Sequence, residues 1–167
     1  MKNVLGLDIS TKTGFSRHYE DGTMLTREIE FKKLKGMERV LAFHDEIVLS
    51  IGILPADLVV VEGYGYASNN IVPSVEIGTA IRMALHTANV KYITVAPTML
   101  KKFVTGRGIA PKEVMMMETF KRWAFEAKTN NEADAFGLAK IGMMMIGTHK
   151  PTNAYERETY DKLKEQL

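Results

Sequence analysis

The sequence predicts an α/β fold built on a mixed five-stranded sheet, and three observations carry that prediction. Apolar runs and helical periodicities follow one another in the order β-β-β-α-β-α-β-α-α-α. The first three runs fall within the first 31 residues and are separated by turn signals, which suits an antiparallel meander. Leu58-Val59-Val60-Val61 is instead an unbroken apolar run, as expected of a strand covered on both faces in a parallel sheet.

Taken in order, Val4 to Ile9 is an apolar strand interrupted by Asp8 and followed by Ser10-Thr11-Lys12-Thr13-Gly14. Phe15 to Tyr19 and Met24 to Phe31 are the next two strands, joined by the turn former Glu20-Asp21-Gly22-Thr23. Gly36 to Ile51 is helical, with Val40, Leu41, Phe43, Ile47 and Val48 on one side. After the break at Pro55-Ala56-Asp57 comes the strand Leu58 to Val61, capped by Glu62, and then a loop from Gly63 to Asn70. Val72 to Ala88 is helical and apolar nearly all round, which places it at the centre of the fold or in a subunit interface. Tyr92 to Val95 is a short strand, and Pro97 opens a helix to Val104. Beyond the turn Thr105-Gly106-Arg107-Gly108, Pro111 opens a helix to Phe125, and Glu132 to Ile146 forms another. Residues 1–150 therefore read as one domain, with 151–167 a charged tail that suits a terminal helix.

At 167 residues the chain can bury a core without covalent staples. It has no cysteine, which excludes disulfides and thiolate metal sites and fits a reducing compartment. The opening MKNVLGLDIS is too short an apolar stretch for a signal peptide, and no run is long enough to span a bilayer, so a cytoplasmic protein without a membrane partner is expected. The formal net charge of +2 says little, but its distribution says more. Lys101, Lys102, Arg107, Lys112, Lys121, Arg122 and Lys128 outnumber the acids between them, and Lys32, Lys33, Lys35 and Arg39 form a second group. Such clusters suit either solvated helix faces or a polyanion. His18, His44, His86 and His149 are too scattered for a ligand set, while the triplets Met115–Met117 and Met143–Met145 and Trp123 read as core filling.

Three acids carry the chemistry. Asp8 lies near the end of the first strand, Glu62 ends the fourth, and Asp134 lies in the first turn of a late helix. Each alone has a bland explanation: a turn former, a strand-end acid in water, a partner for a helix dipole. Together they are harder to dismiss, because acids are poor strand residues and are rarely set beside buried runs without a partner. Carboxylates gathered at one sheet edge repel unless cations hold them, and hard oxygen ligands select Mg²⁺ or Mn²⁺.

Several ordered motifs resemble one family. Gly6-Leu7-Asp8-Ile9-Ser10 with Thr13-Gly14-Phe15 is similar to the first strand and hairpin of the RuvC-like Holliday-junction resolvases. Val60-Val61-Glu62 resembles their second motif. Val95-Ala96-Pro97 with Lys101-Lys102, Thr105-Gly106-Arg107-Gly108 and Pro111-Lys112 resembles their basic region, and Asn131-Glu132-Ala133-Asp134-Ala135 their C-terminal acidic motif. The resemblance spans about residues 3 to 147 in the family's order. It implies a ribonuclease H-like fold and a metal-dependent endonuclease that resolves four-way junctions in branched DNA as a homodimer; a short chain of this kind also suits a viral or phage member.

The resemblance further implies two-metal phosphodiester hydrolysis with Mg²⁺, for which Mn²⁺ would substitute. Asp8, Glu62 and Asp134 would ligate the ions, and Lys112 would sit near the scissile phosphate. Lys101, Lys102 and Arg107 would contact backbone phosphates, and Tyr64 or Tyr66 would stack on an exposed base or else pack against the domain. Residues three apart on a helix share a face, whereas residues two apart point about 200° around it, so Asn131 rather than Glu132 should join Asp134. Asn131 stands where the family often has an acid, and Asn131→Asp is expected to keep or improve activity at low Mg²⁺. Another ribonuclease H-like nuclease, acting on forks, flaps or hybrids, and a catalytically weak DNA-binding relative remain open. Gly6-Leu7-Asp8-Ile9-Ser10 also resembles the first phosphate loop of sugar kinases and actin-like ATPases, but those need two such domains.

Overall fold

A computed structural model describes residues 1–64 and 71–167. Five strands, β1 (Asn3–Asp8), β2 (Lys12–Tyr19), β3 (Met24–Glu30), β4 (Leu58–Glu62) and β5 (Tyr92–Val95), form one sheet in the order β3-β2-β1-β4-β5. The β1-β2 and β2-β3 pairs are antiparallel, while β1-β4 and β4-β5 are parallel. The helices are α1 (Gly36–Ile53), α2 (Ile71–Thr87), α3 (Pro97–Thr105), α4 (Lys112–Trp123), α5 (Asn130–Met145) and α6 (Ala154–Leu163). The mixed sheet and the element order agree with the expectation from sequence.

The strand period of two sorts the side chains onto two faces. Leu5, Leu7, Phe15, Ile29, Val59 and Val61 join α1 and α2 residues such as Phe43, Ile47, Ile77 and Ile81 in one core cluster. Val4, Leu58 and Val60 face the other way and join Leu100, Phe103, Leu138, Ile141 and Met144 of α3 and α5. Asp8 is in phase with Val4, and Glu62 with Leu58 and Val60, so both acids belong to the α5 face.

The central helix is α5 rather than α2. Its buried set includes Ala133, Ala135, Gly137, Ala139 and Gly142, small residues that let it approach the sheet closely. A Cβ on Gly6 would lie 2.3 Å from the Ala135 carbonyl oxygen, and one on Gly142 the same distance from Val4 Cγ1. By contrast α2 buries one stripe, Ile77, Gly78, Ile81, Ala84 and Leu85, and leaves Val72 and Met83 in solvent. Its apolar outer face is thus not core.

The tail forms α6, which is integrated into the domain. Leu163 enters the α3–α5 core, and Glu156, also buried, binds Arg122 of α4. Gln166 bonds both the N–H and the carbonyl of Thr94, at 2.9 and 3.2 Å, covering part of the free edge of β5. Among the described residues no helix is long and apolar enough to cross a membrane.

Candidate active site

Register brings the first two acids together. In the parallel β1-β4 pair Leu7 is level with Val61, so the next residues, Asp8 and Glu62, stand side by side at the ends of adjacent strands on the α5 face. Their carboxyl groups are in hydrogen-bond contact. Asp8 is 7% exposed, and among the described residues neither it nor Glu62 nor Asp134 has an ion-pair partner.

Asp134 arrives from α5, whose start is set by a local device. Thr129 caps the helix by accepting from Glu132 N at 3.2 Å, and Glu132 Oε2 accepts in return from Lys128 N at 2.8 Å. Glu132 is buried in that role, so its carboxylate serves the backbone and not the acid pair. The helix begins at Asn130, two residues before the sequence-predicted start, with Asn131 and Asp134 three apart. Asn131 is not the cap; its Nδ2 donates to Glu28 Oε2 of β3 at 2.9 Å.

The acids hold protons unusually well. Burial, then the charge of Glu62 and the contact with it, raise Asp8 well above the ordinary carboxylate range; Lys112 opposes the rise and Glu28 adds to it. Burial raises Glu62 to about 7, with the Asp8 contact and Lys101 lowering it and Asp134 raising it. Burial and then the charge of Asp8 raise Asp134 to about 7, against Lys101 and Lys112. The direction at the pair is that of one shared proton, held on Asp8.

This arrangement fits divalent cations in its donor chemistry. It offers buried oxygen ligands and, among the described residues, no ion pair that would neutralise them. The acids do not form a closed cage: among the described residues no three acidic or histidine side chains converge on one ion position. Binding a cation would displace the proton.

A pH-dependent stability follows, with its sign. Glu62 and Asp134 have folded values near 7 against ordinary values of 4.5 and 3.8. The folded chain therefore binds more protons than the unfolded one between about pH 4 and 7, and these groups subtract stability as pH rises through that window. His18 acts oppositely: burial, then Lys140, lowers it to about 3, so the unfolded chain takes its proton first and stability rises up to about pH 6.5. Comparing melting with Mg²⁺ against melting with EDTA at each pH cancels His18. The Mg²⁺-induced rise should be near zero at pH 5 and roughly 5 °C or more at pH 8. An equal rise at both pH values would refute the acid-site assignment.

The basic residues divide. Lys101 and Lys112 act electrostatically on the acids and so flank the site. Lys102, one residue on, turns away and pairs with Glu158 of α6 at 2.6 Å, so it is not among the free cations beside the acids. Arg107 is exposed in the turn after α3, whose backbone is tied by Thr105 Oγ1 accepting from Arg107 N at 3.1 Å.

Tyr64 packs against α2. Arg82 Nη1 donates to its hydroxyl at 2.9 Å and the guanidinium lies 4.7 Å from its ring centre. Of the two readings of Tyr64, packing against the domain is the one seen; Tyr66 lies outside the described residues. Sequence reading missed Arg82, which also donates to the Glu62 carbonyl at 3.3 Å and so braces the end of β4. It missed Glu28 as well.

No protein-family model matches the chain, and no curated protein matches it by sequence. Solved structures do match its backbone. It is similar to Thermus thermophilus RuvC in complex with Holliday junction substrate, at TM-score 0.71 and 20% identity, covering 83% of this chain and 91% of that one. It is similar also to Thermus thermophilus RuvC alone, at TM-score 0.70 and 22% identity over 89% and 99% of the two chains. The fowlpox virus Holliday junction resolvase matches at TM-score 0.55 and 15% identity over 84% and 97%. At these identities what is shared is the fold, a ribonuclease H-like mixed sheet flanked by helices.

Proposed function

We propose that this protein is a metal-dependent endonuclease that cuts branched DNA, resolving four-way junctions. The observation that carries the reading is the pair Asp8–Glu62, buried and without an ion pair among the described residues, with Asp134 set against it on a RuvC-like backbone. The solved relatives named above are a RuvC bound to a junction and a junction resolvase, which supports the choice of substrate.

Asp8, Glu62 and Asp134, joined by Asn131, would hold two Mg²⁺ or Mn²⁺ ions, which when bound supply an activated water and neutralise charge at the leaving oxygen. The chain's own part is to gather those buried acids, from which an entering cation would displace the proton, and to bring the phosphate to them. Lys112, at the start of α4, and Lys101 set positive charge beside the acids, where it favours a phosphate and offsets charge developing on it. Arg107 would contact backbone phosphates, which positions DNA without reading its sequence. Incubation of the full chain with a synthetic four-way junction, a fork and a duplex, each with Mg²⁺, Mn²⁺ or EDTA, tests the reading. Paired, cation-dependent incision of the junction is expected; cleavage of the fork alone would favour the flap and fork alternative, and no cleavage of any substrate would refute it.

The reading includes a homodimer, since a four-way junction needs two symmetric incisions. Support comes from the outer face of α2: Val75, Ala80 and Met83 line an open apolar groove with Met37, Val40 and Leu41 of α1. Met83 is 62% exposed, whereas Ile81 is fully buried. Met83→Glu should shift the protein from dimer to monomer in sedimentation at micromolar concentration without lowering its melting temperature. Ile81→Glu should instead unfold it. A monomeric wild type that cuts junctions fully would end the dimer proposal.

A further inference from the structure

Glu28 lies 103 residues from Asn131 in the chain and is bonded to it across the site. The sheet explains how. Asp8 is level with Gly14 across β1-β2, and Gly14 is level with Glu28 across β2-β3. Partners in register project to the same face, so Asp8 and Glu28 flank Gly14 about 10 Å apart, two strand spacings. The first turn of α5 fills the space above the glycine: a Cβ on Gly14 would lie 2.0 Å from the Asn131 carbonyl oxygen. Asn131 is thereby centred over the row, with Glu28 on one side and Asp8 on the other.

The chemistry of the contact is directional. An ionised carboxylate only accepts, so it takes the NH₂ end of the amide and leaves Oδ1 as the end turned away from Glu28. Nearby cations are committed elsewhere: Arg27 pairs with Glu46, and Lys12 and Lys32 both approach Glu30. Glu28 has no ion pair among the described residues, and its charge reaches Asp8.

Building on the proposed cation-dependent nuclease, we infer that Glu28 is a positioning residue of the cation site, orienting the Asn131 amide so that its carbonyl oxygen faces the ions. Glu28 also supplies, from one position behind, the negative charge that a neutral asparagine lacks. The pair works as a unit, which revises the expectation for Asn131→Asp. Alone, that change sets two carboxylates against each other. Its benefit should appear only when Glu28→Gln accompanies it, because a glutamine amide can donate to the new aspartate and restore the contact with its polarity reversed.

The test is a double-mutant cycle on the full chain, reading Mn²⁺ and Mg²⁺ affinity by calorimetry and melting temperature in EDTA. Glu28→Ala should weaken cation binding about tenfold while leaving the melting temperature in EDTA unchanged or higher, the scale of one lost charge-assisted hydrogen bond. Asn131→Asp should bind cations no better than wild type and melt lower in EDTA. The double variant Glu28→Gln with Asn131→Asp should recover wild-type affinity or exceed it. Wild-type affinity in Glu28→Ala, or a double variant no better than Asn131→Asp, would overturn the inference; if Glu28→Ala fails to fold, the second comparison decides. A wild type that binds Mg²⁺ but leaves junctions uncut would remove the proposed function and leave the pair standing as a cation-site device. A wild type that binds neither cation would overturn both.

Discussion

Asp8→Asn should lower Mg²⁺-dependent junction cleavage by at least about 10³-fold while leaving junction binding within a few-fold of wild type. The two halves of that result have separate causes. Asp8 is the most buried of the three acids, and burial with the charge of Glu62 raises it well above the ordinary carboxylate range, so on the proposed reading its loss removes a central ligand of the cation site. On the proposed reading, binding would rest on Lys101, Lys112 and Arg107, which stand on other elements and keep their charge. Asparagine matches aspartate in shape, and burial beside Glu62 already disfavours the charged form of Asp8, so folding should not suffer; the melting temperature in EDTA at pH 8 should stay level or rise. Gel-shift titration in EDTA and single-turnover cleavage in Mg²⁺ measure the two halves. Near-wild-type cleavage by Asp8→Asn would end the metal-site assignment, and a parallel loss of binding would point to misfolding instead.

What the sequence made legible depended on how local each signal was. Asp8 and Glu62 stood out because an acid ends an apolar run, a pattern visible within six residues. The strand pairing that sets them side by side was not legible, because the run Leu58–Val61 suits a parallel sheet without naming β1 as its neighbour. Glu28 was not legible, because Thr26-Arg27-Glu28-Ile29-Glu30 alternates like any half-exposed strand, and its partner becomes visible only once the register Asp8–Gly14–Glu28 is known. Lys102 illustrates the converse. Next to Lys101 in sequence, it lies about 100° around the helix and is spoken for by Glu158, in a tail whose docking no periodicity announced. Of the two places the sequence offered for α2, the centre of the fold is taken by α5 instead, for a related reason. Ala133, Ala135, Gly137, Ala139 and Gly142 give α5 little hydrophobic bulk, whereas α2 is rich in large apolar residues, several of which lie in solvent. Close approach to a sheet selects small side chains, so the most buried helix was not the most hydrophobic one.

Gly14 is where that close approach and the chemistry meet, and Gly14→Ala should destabilise the protein by about 3 kcal/mol or more. The added Cβ would lie 2.0 Å from the Asn131 carbonyl oxygen, 2.6 Å from the Asn131 carbonyl carbon and 3.0 Å from Ala135 Cβ. Two of those three atoms are helix backbone, which cannot swing aside as a side chain can. Gly14 does not have positive φ, so the penalty is steric and not conformational. Relief requires moving the first turn of α5, which carries Asn131 and Asp134, away from Asp8. The variant should therefore lose cation affinity along with stability, and urea unfolding with and without Mg²⁺ should show a smaller cation-dependent gain than in wild type. Gly52 serves as the control: it lies in α1 with nothing within 4 Å of its added Cβ, so Gly52→Ala should be neutral or stabilising by up to about 1 kcal/mol. Wild-type stability in Gly14→Ala would mean that α5 does not rest on the glycine, and the placement of Asn131 over the Asp8–Glu28 row would have to be abandoned with it.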